Sequence, residues 1–190
     1  MVPVVTTMDG DRLTFAAPLV VAVIADTHCY DGGARRLSPE VLALFRRSRP
    51  GLILHAGDVG GAAVLAELEA VAPVLAVRGN NEAAALAGSL PAIVRFRIGR
   101  FRFVLLHGLE GKTARLAAKR YAAEADCVVY GHSHIPKIEL EGSAILFNPG
   151  SPTDRRWGPH YGVGRLVVGT DRIEPELVLF RDASDLQHVT

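Results

Sequence analysis

The chain is predicted to be an α/β protein built on two packed β-sheets, and three observations carry that prediction. Short apolar runs alternate with helix-like segments through the first half, as in a parallel or mixed sheet with covering helices. The second half turns to closely spaced short strands, some of them paired across tight turns, which calls for a second sheet. Polar, chemistry-bearing residues gather just after the runs, where α/β sheets bind ligands at the carboxyl ends of their strands. At 190 residues, with no repeat, low-complexity tract or long linker, one domain over residues 1–190 accommodates all of this.

The elements follow in order. Val4–Met8 and Arg12–Phe15 flank Asp9-Gly10, a favoured hairpin-turn dipeptide, so residues 1–17 are expected to form a hairpin extension. Leu19–Ala25 is a continuous β-branched run, the pattern of a strand buried on both faces. Ser38-Pro39-Glu40 offers an N-cap, a first-turn proline and an acidic first turn. The helix it starts ends before Pro50, with Val41, Leu42, Leu44 and Phe45 as its apolar face. Leu52–Leu54 is the next strand, Ala62–Ala70 a helix rich in Ala and Leu, and Val74–Val77 a third strand closed by Arg78-Gly79. Ile93–Ile98 and Phe101–Leu106, around Gly99-Arg100, read as an antiparallel pair. A helix is expected over about Thr113–Ala123, its spacing carried by Leu116, Ala117, Arg120 and Tyr121. Val128–Tyr130 leads into Gly131-His132-Ser133-His134, and short strands follow at Ile135–Leu140, Ala144–Phe147, Gly162–Val168 and Glu174–Phe180.

Almost half the residues are hydrophobic and the net charge is +1. That excludes a disordered chain and argues against a stable nucleic-acid complex, which needs clustered basic charge. Nucleotide-sized substrates stay open, because they need only a local site. The two cysteines, Cys29 and Cys127, are too few and too far apart for a disulfide framework and suggest a reduced protein. No secretory signal is visible, and the apolar stretch Ala16–Ala25 falls short of the roughly 20 residues that span a bilayer. A cytoplasmic protein without a membrane partner is the expectation.

The informative residues are scattered over more than a hundred positions: Asp26-Thr27-His28, Gly57-Asp58, Gly79-Asn80-Asn81, His107-Gly108 and Gly131-His132-Ser133-His134. Taken singly, the Asp and Asn motifs read equally well as turns or helix caps, and a lone His107 as a structural residue. Two imidazoles bracketing a serine after a glycine and a buried strand are harder to explain as core or as solvated surface. Together these loops supply carboxylates, an amide and imidazoles, the ligand inventory of a two-metal hydrolytic site. Mixed oxygen and nitrogen ligation without thiolate suits Mn, Fe, Zn, Co or Ni better than a cysteine-rich structural zinc site.

In this order, Asp-x-His, Gly-Asp, Gly-Asn, His-Gly and Gly-His-x-His resemble the motifs of the calcineurin-like metallophosphoesterases. The run Ile53-Leu54-His55-Ala56-Gly57-Asp58 and the turn Asn148-Pro149-Gly150-Ser151 look most like the small YfcE-type phosphodiesterases, over about Val20 to Leu179. The resemblance implies a four-layer αββα sandwich of two mixed sheets flanked by helices. It implies two divalent ions, Mn²⁺ foremost. Asp26, His28 and His134 would hold one, Asn80, His107 and His132 the other, and Asp58 would bridge both. By the family's mechanism, a hydroxide held between the ions attacks phosphorus in line. The implied activity is a phosphodiesterase for small phosphodiesters or nucleotides. A phosphomonoesterase is the alternative within the class, and a protein-binding scaffold like the related retromer subunit the alternative outside it.

Two departures from the family pattern matter. Many relatives carry His after the Gly-Asn pair, where it can protonate a leaving oxygen. Asn81 can only donate a hydrogen bond there, which favours leaving groups needing little protonation. The N-terminal hairpin precedes the first family strand and reads as a sheet extension or edge cover, with a contact in a homo-oligomer as the functional alternative. His55 is expected to support or pack behind the site, and His160 and His188 to lie at the surface. Arg155, Arg156 and Trp157 follow the Asn-Pro-Gly-Ser turn. They either rim the site, with Arg156 contacting a phosphorylated substrate, or form an ordinary basic loop with one partly buried aromatic.

Overall fold

Residues 7–9, 12–108 and 113–189 are described in the computed structural model of the chain, and their strands fall into two sheets. In chain order the elements are β1 (Thr7–Asp9), β2 (Arg12–Phe15), β3 (Leu19–Ile24), α1 (Pro39–Ser48), β4 (Leu52–His55), α2 (Ala62–Glu69), β5 (Val74–Ala76), α3 (Ala84–Ala87), β6 (Ile93–Ile98), β7 (Phe101–Leu106), α4 (Ala114–Lys119), β8 (Cys127–Val129), β9 (Lys137–Glu141), β10 (Ala144–Asn148), β11 (Tyr161–Val168) and β12 (Ile173–Phe180). A 3₁₀ turn over Ala183–His188 closes the described chain. One sheet runs β12-β11-β3-β4-β5, with β3, β4 and β5 parallel. The other runs β1-β2-β6-β7-β8-β10-β9 and mixes parallel and antiparallel pairs.

The continuous apolar runs have a simple cause. In β3, Val21 and Val23 face the core between the sheets, whereas Ala22 and Ile24 face the outer cluster under α1. In β4, Leu52 and Leu54 point inward and Ile53 outward. Across the core, Phe103 and Leu105 of β7 point inward, and Val104 and Leu106 pack against α4. Side chains alternate with period two and both faces are covered, so every position is apolar. The result is the expected four layers, helix, sheet, sheet, helix.

Local chemistry sets the helix ends. Ser38 caps α1, accepting from the Val41 amide at 3.3 Å, and Arg49 ends it in the left-handed region at φ 47°. Gly61 at the start of α2 has no capping side chain, and Asp31 takes that role across the chain, accepting from Ala62 N at 3.1 Å and Ala63 N at 3.0 Å. This bond ties the loop after β3 to the loop after β4.

Some elements differ from expectation. The fourth helix is shorter, continuing only as turns through Glu124, and it buries Ala114, Ala117 and Ala118. Leu116 is 50% exposed rather than on the packed face. Small residues let this helix sit close on Val104, Val128 and Leu146. Neither α3 nor the terminal 3₁₀ turn was expected. The N-terminal hairpin pairs Thr7 with Thr14 and Asp9 with Arg12, and β2 adds in parallel to β6, so it extends the seven-stranded sheet. Residues 1–6 and Gly10 of the expected turn lie outside the described residues. Both cysteines are buried and free. No helix among the described residues is long and apolar enough to cross a membrane.

Between the sheets, Gly164 of β11 packs against the Phe147 ring of β10. A Cβ on Gly164 would sit 2.4 Å from the Phe147 ring. Gly164→Ala is therefore expected to lower stability by about 1–3 kcal/mol through overpacking, read as a lower urea midpoint at unchanged m-value. An unchanged midpoint would mean that the ring yields without cost.

Candidate metal centre

The strands deliver the candidate ligands at their carboxyl ends. Asp26 and His28 follow β3, Asp58 follows β4, Asn80 follows β5, His107 follows β7, and His132 and His134 follow β8. The loops after β3 and β4 run side by side through Asp26 N to Gly57 O at 2.9 Å, His28 N to Asp58 O at 2.9 Å and Cys29 N to Val59 O at 3.0 Å. Asp26, His28, Asp58, His132 and His134 have φ values of 54°, 47°, 53°, 72° and 59°. Left-handed backbone costs a side-chain-bearing residue on the order of 1–3 kcal/mol, and it persists only where the surroundings hold it. Five of the seven non-glycine residues with positive φ among the described residues are candidate ligands.

The donor atoms form two groups. On one side, His28 Nε2 lies 3.2 Å from His134 Nε2 and 3.4 Å from Asp58 Oδ2, and His134 Nε2 lies 3.6 Å from Asp26 Oδ1. One ligand atom from each of Asp26, His28, Asp58 and His134 falls within 4.8 Å of the others. On the other side, His107 Nε2 lies 3.1 Å from Asn80 Oδ1 and 3.4 Å from Asp58 Oδ1. His132 Nδ1 lies 3.0 Å from Asn80 Oδ1 and 3.2 Å from His107 Nε2. Asp58 presents one oxygen to each group.

The imidazoles are oriented for ligation. His107 Nδ1 faces the Ala56 carbonyl at 2.8 Å and His134 Nδ1 faces the Asp154 carbonyl at 2.5 Å. A carbonyl only accepts, so each Nδ1 carries a proton and each ring turns its Nε2 toward the centre. Burial lowers the pKa of His28 and His132, and brings His134 down to about 4, which favours the unprotonated, ligating form. Burial drives the Asp26 carboxyl up to about 8. Burial also opposes the charge of Asp58, but hydrogen bonds from His107 and Asn81 outweigh it and hold Asp58 below the usual carboxylate range. His107 moves upward, because the nearby Asp58 and Asp26 overcome the burial that would lower it.

Acceptors thus converge with too few protons among them, and Asp26 Oδ2 is buried with no hydrogen-bond partner. Buried polar atoms rarely stay unpaired, so this oxygen is available to a cation. The oxygen and nitrogen donor set fits a divalent metal. Cys29 does not join it, since its thiol bonds to Thr27 O at 3.4 Å and burial pushes its pKa to about 11.

Several supporting residues escaped the sequence reading. Glu82 accepts from Gly79 N at 2.8 Å, Gly60 N at 2.9 Å and Val59 N at 3.2 Å, clamping the loops after β4 and β5 together. Gly79 sits so close to Asp58 that a Cβ there would lie 2.0 Å from Asp58 Oδ1. Thr153 donates to Thr27 O at 2.6 Å, and Ser151 donates to Asp26 O at 2.7 Å. Gly79 and Ser151 belong to motifs already marked in sequence for their neighbours, and Glu82 directly follows one. Asn148 donates to Gly131 O at 3.0 Å and Ser133 Oγ at 3.1 Å, so the Asn-Pro-Gly-Ser turn braces the His-Ser-His loop. His55 is buried, with Nε2 at 3.0 Å from Thr27 Oγ1, and supports the first ligand loop as expected.

The remaining candidates lie at the margin. Asn81 Nδ2 donates to Asp58 Oδ2 at 2.9 Å, and the Asn81 and Asn80 amides donate to Asp58 Oδ1 at 2.9 and 2.8 Å. Exposed Arg156, at φ 47°, is near enough for its charge to act on Asp26, His28, His132 and His134. Arg155 turns away, donating to Gly158 O at 2.7 Å and lying 5.8 Å over the Tyr161 ring. Trp157 is fully exposed, not partly buried. His188 is exposed, and His160 is half-buried rather than on the open surface.

The chain is similar to several known proteins. A probable metallophosphoesterase of Methanothermobacter thermautotrophicus is 38% identical over 138 residues, covering 71% of this chain and 78% of its own. Among solved structures, zinc-complexed Vps29 from Entamoeba histolytica superposes with a TM-score of 0.69 at 21% identity, over 85% of this chain and 99% of its own. An archaeal phosphodiesterase gives 0.63 at 20%, over 85% and 100%. The phosphoesterase YfcE from E. coli gives 0.60 at 24%, over 84% and 98%. These likenesses establish the fold. The profile of the calcineurin-like phosphoesterase superfamily domain matches residues 19–171, which span every candidate ligand, and the chain belongs to that superfamily.

Proposed function

We propose that this chain is a metal-dependent phosphodiesterase acting on small phosphodiesters or nucleotides, with a centre for two divalent cations. The observation that carries this reading is the two-sided setting of Asp58, whose Oδ2 lies 3.4 Å from His28 Nε2 and whose Oδ1 lies 3.4 Å from His107 Nε2. Asp26, His28 and His134 would hold one ion, Asn80, His107 and His132 the other, and Asp58 would serve both. The donor set accepts Mn, Fe, Zn, Co or Ni, and the family resemblance makes Mn²⁺ the first candidate. When bound, such ions supply an acidified water, polarise phosphoryl oxygens and offset charge in the transition state.

The chain's own residues do the rest. The His107 and His134 rings are fixed by carbonyl acceptors, and Asp58 is oriented by amides from Asn80 and Asn81. Arg156 adds positive charge at the rim, suited to a phosphate oxygen. Asn81 cannot give up a proton near neutral pH, so the centre favours leaving groups that depart as stable anions. A phosphomonoesterase would use the same centre. A scaffold of the Vps29 kind shares the fold, but it leaves the converged and strained ligand set without a purpose.

A metal-by-substrate screen with matched mono- and diesters of one aryl alcohol tests the reading. Diester hydrolysis with Mn²⁺ is expected to fall at least about 100-fold in Asp58→Asn, a loss of several kcal/mol of charge stabilisation. Full activity in that variant would end the proposal, and a faster monoester would move the substrate class. Asn81→His is expected to speed an alkyl diester about tenfold while changing an activated aryl diester little. Equal effects on both would argue against a missing proton donor.

Linkage supplies a separate check. The folded metal-free chain holds the Asp26 proton up to about pH 8, whereas the unfolded chain loses it near 3.8. The folded state therefore binds more protons in that window, and this group's contribution to stability falls as pH rises through it. His107, also raised, acts in the same sense. A cation must displace these protons, so Mn²⁺ is expected to raise Tm more at pH 8 than at pH 5.5 and to release protons on binding at pH 6. The same rise at both pH values would separate cation binding from Asp26.

A further inference from the structure

A second cleft, of about 400 Å³, lies behind the turn that braces the metal centre. That volume is within the roughly 300–1,000 Å³ of small-molecule sites. Arg35, Arg36 and Arg181 line it together with Ser38, Thr153 and Tyr161. Among the described residues, only Arg35 has a carboxylate partner, Asp154 at 3.4 Å. Arg36 is tied to the backbone oxygens of Gly33 and Arg35, and Arg181 makes no ion pair. The one carboxylate in the lining, Asp182, is engaged by Ser184 N at 2.9 Å and Ser184 Oγ at 2.7 Å. Glu40 stands in the first turn of α1 and is the other acidic group of that element.

The neutral groups favour an anion as well. Ser38 Oγ accepts from Val41 N, which leaves its hydroxyl proton free to donate at the positive end of α1. Thr153 joins the cleft to the metal centre through its bonds to Thr27 O and Asp26 O at 2.6 and 3.4 Å. Asp154, the partner of Arg35, accepts from His134 Nδ1. Arg36 and Arg181 without a carboxylate partner, Arg35 shared with Asp154, and a hydroxyl donor beside them match a tetrahedral phosphate, against Asp182 as the one carboxylate in the lining. A hydrophobic or cationic ligand would leave these charges uncompensated.

We infer that this cleft binds a phosphate group adjacent to the metal centre. Its source is either a second phosphate carried by the substrate or free orthophosphate. The substrate case rests on the phosphodiesterase reading, and the binding itself does not.

Calorimetric titration of orthophosphate into the full chain, with chelator present to remove competition from metal, tests the binding. Saturable binding is expected, weakened at least about tenfold in Arg36→Gln/Arg181→Gln at unchanged Tm. Arg97→Gln, on β6 of the other sheet, is expected to leave it intact. Absence of binding, or equal binding in the double variant, overturns the inference. The source is then read from KM for p-nitrophenyl esters of thymidine 5′-phosphate with and without a 3′-phosphate. A preference for the doubly phosphorylated ester that the double variant erases assigns the cleft to substrate. Equal KM values with phosphate binding retained assign it to free phosphate. Failure to hydrolyse either ester defeats the phosphodiesterase reading, and calorimetry still decides the cleft.

Discussion

Everything in the candidate centre depends on how the Asp58 carboxylate is held. It lies at the end of a buried strand with no exposed surface, where an ionised carboxylate is costly unless paired. Three donors from the next loop satisfy it: the amides of Asn80 and Asn81 and the Asn81 side chain. Bonds to a charged acceptor are worth about 1.5–3 kcal/mol each, enough to keep the group ionised against burial. β5 must therefore end where it does, and Gly79 must lack a side chain, for those donors to reach Asp58. With Asp58 fixed, one oxygen faces His28 and the other His107, and the two halves of the centre acquire their separation.

The same logic explains why so many ligand residues tolerate left-handed backbone. Each sits at the first sharp turn after a strand, where the chain must reverse at once if the side chain is to stay over the sheet. The bonds that hold these turns come from loops distant in sequence. Glu82 binds three amides from two loops, and Ser151 and Thr153 bind the carbonyls of Asp26 and Thr27. Ligand geometry is thus enforced by second contacts, which commonly matter to metal affinity nearly as much as the ligands themselves. Removing such a brace would relax the turn and not merely delete one hydrogen bond.

This division of labour also decides what could be read from sequence. Strand positions were legible because both faces of β3, β4 and β7 are covered, which writes an unbroken apolar run into the chain. The candidate ligands were legible because they follow those runs and are of ligating types. The braces were not, because they act on backbone amides and carbonyls, and a backbone partner leaves no mark on the residue that supplies it. Glu82 appears in sequence only as an acidic residue in a turn, and Thr153 as an ordinary loop threonine. The face of α4 was misjudged for a related reason. Leu116 has the right spacing for a core position, but a helix that packs on alanines turns its larger residue outward.

Charge balance connects these points to the chemistry. Asp26 and Asp58 share one buried site yet move in opposite directions, because Asp58 has donors and one oxygen of Asp26 has none. In the metal-free centre burial thus opposes ionisation of Asp26, while its donors keep Asp58 ionised. Two dications would ionise Asp26 and face only two carboxylate charges, since the imidazoles and the Asn80 amide are neutral. The centre would then be net positive, with Arg156 adding to it at the rim. A phosphodiester carries one negative charge and meets that excess without an acidic side chain in the way. With Asn81 in place of a proton donor, this electrostatic surplus is what the fold would contribute to the proposed reaction.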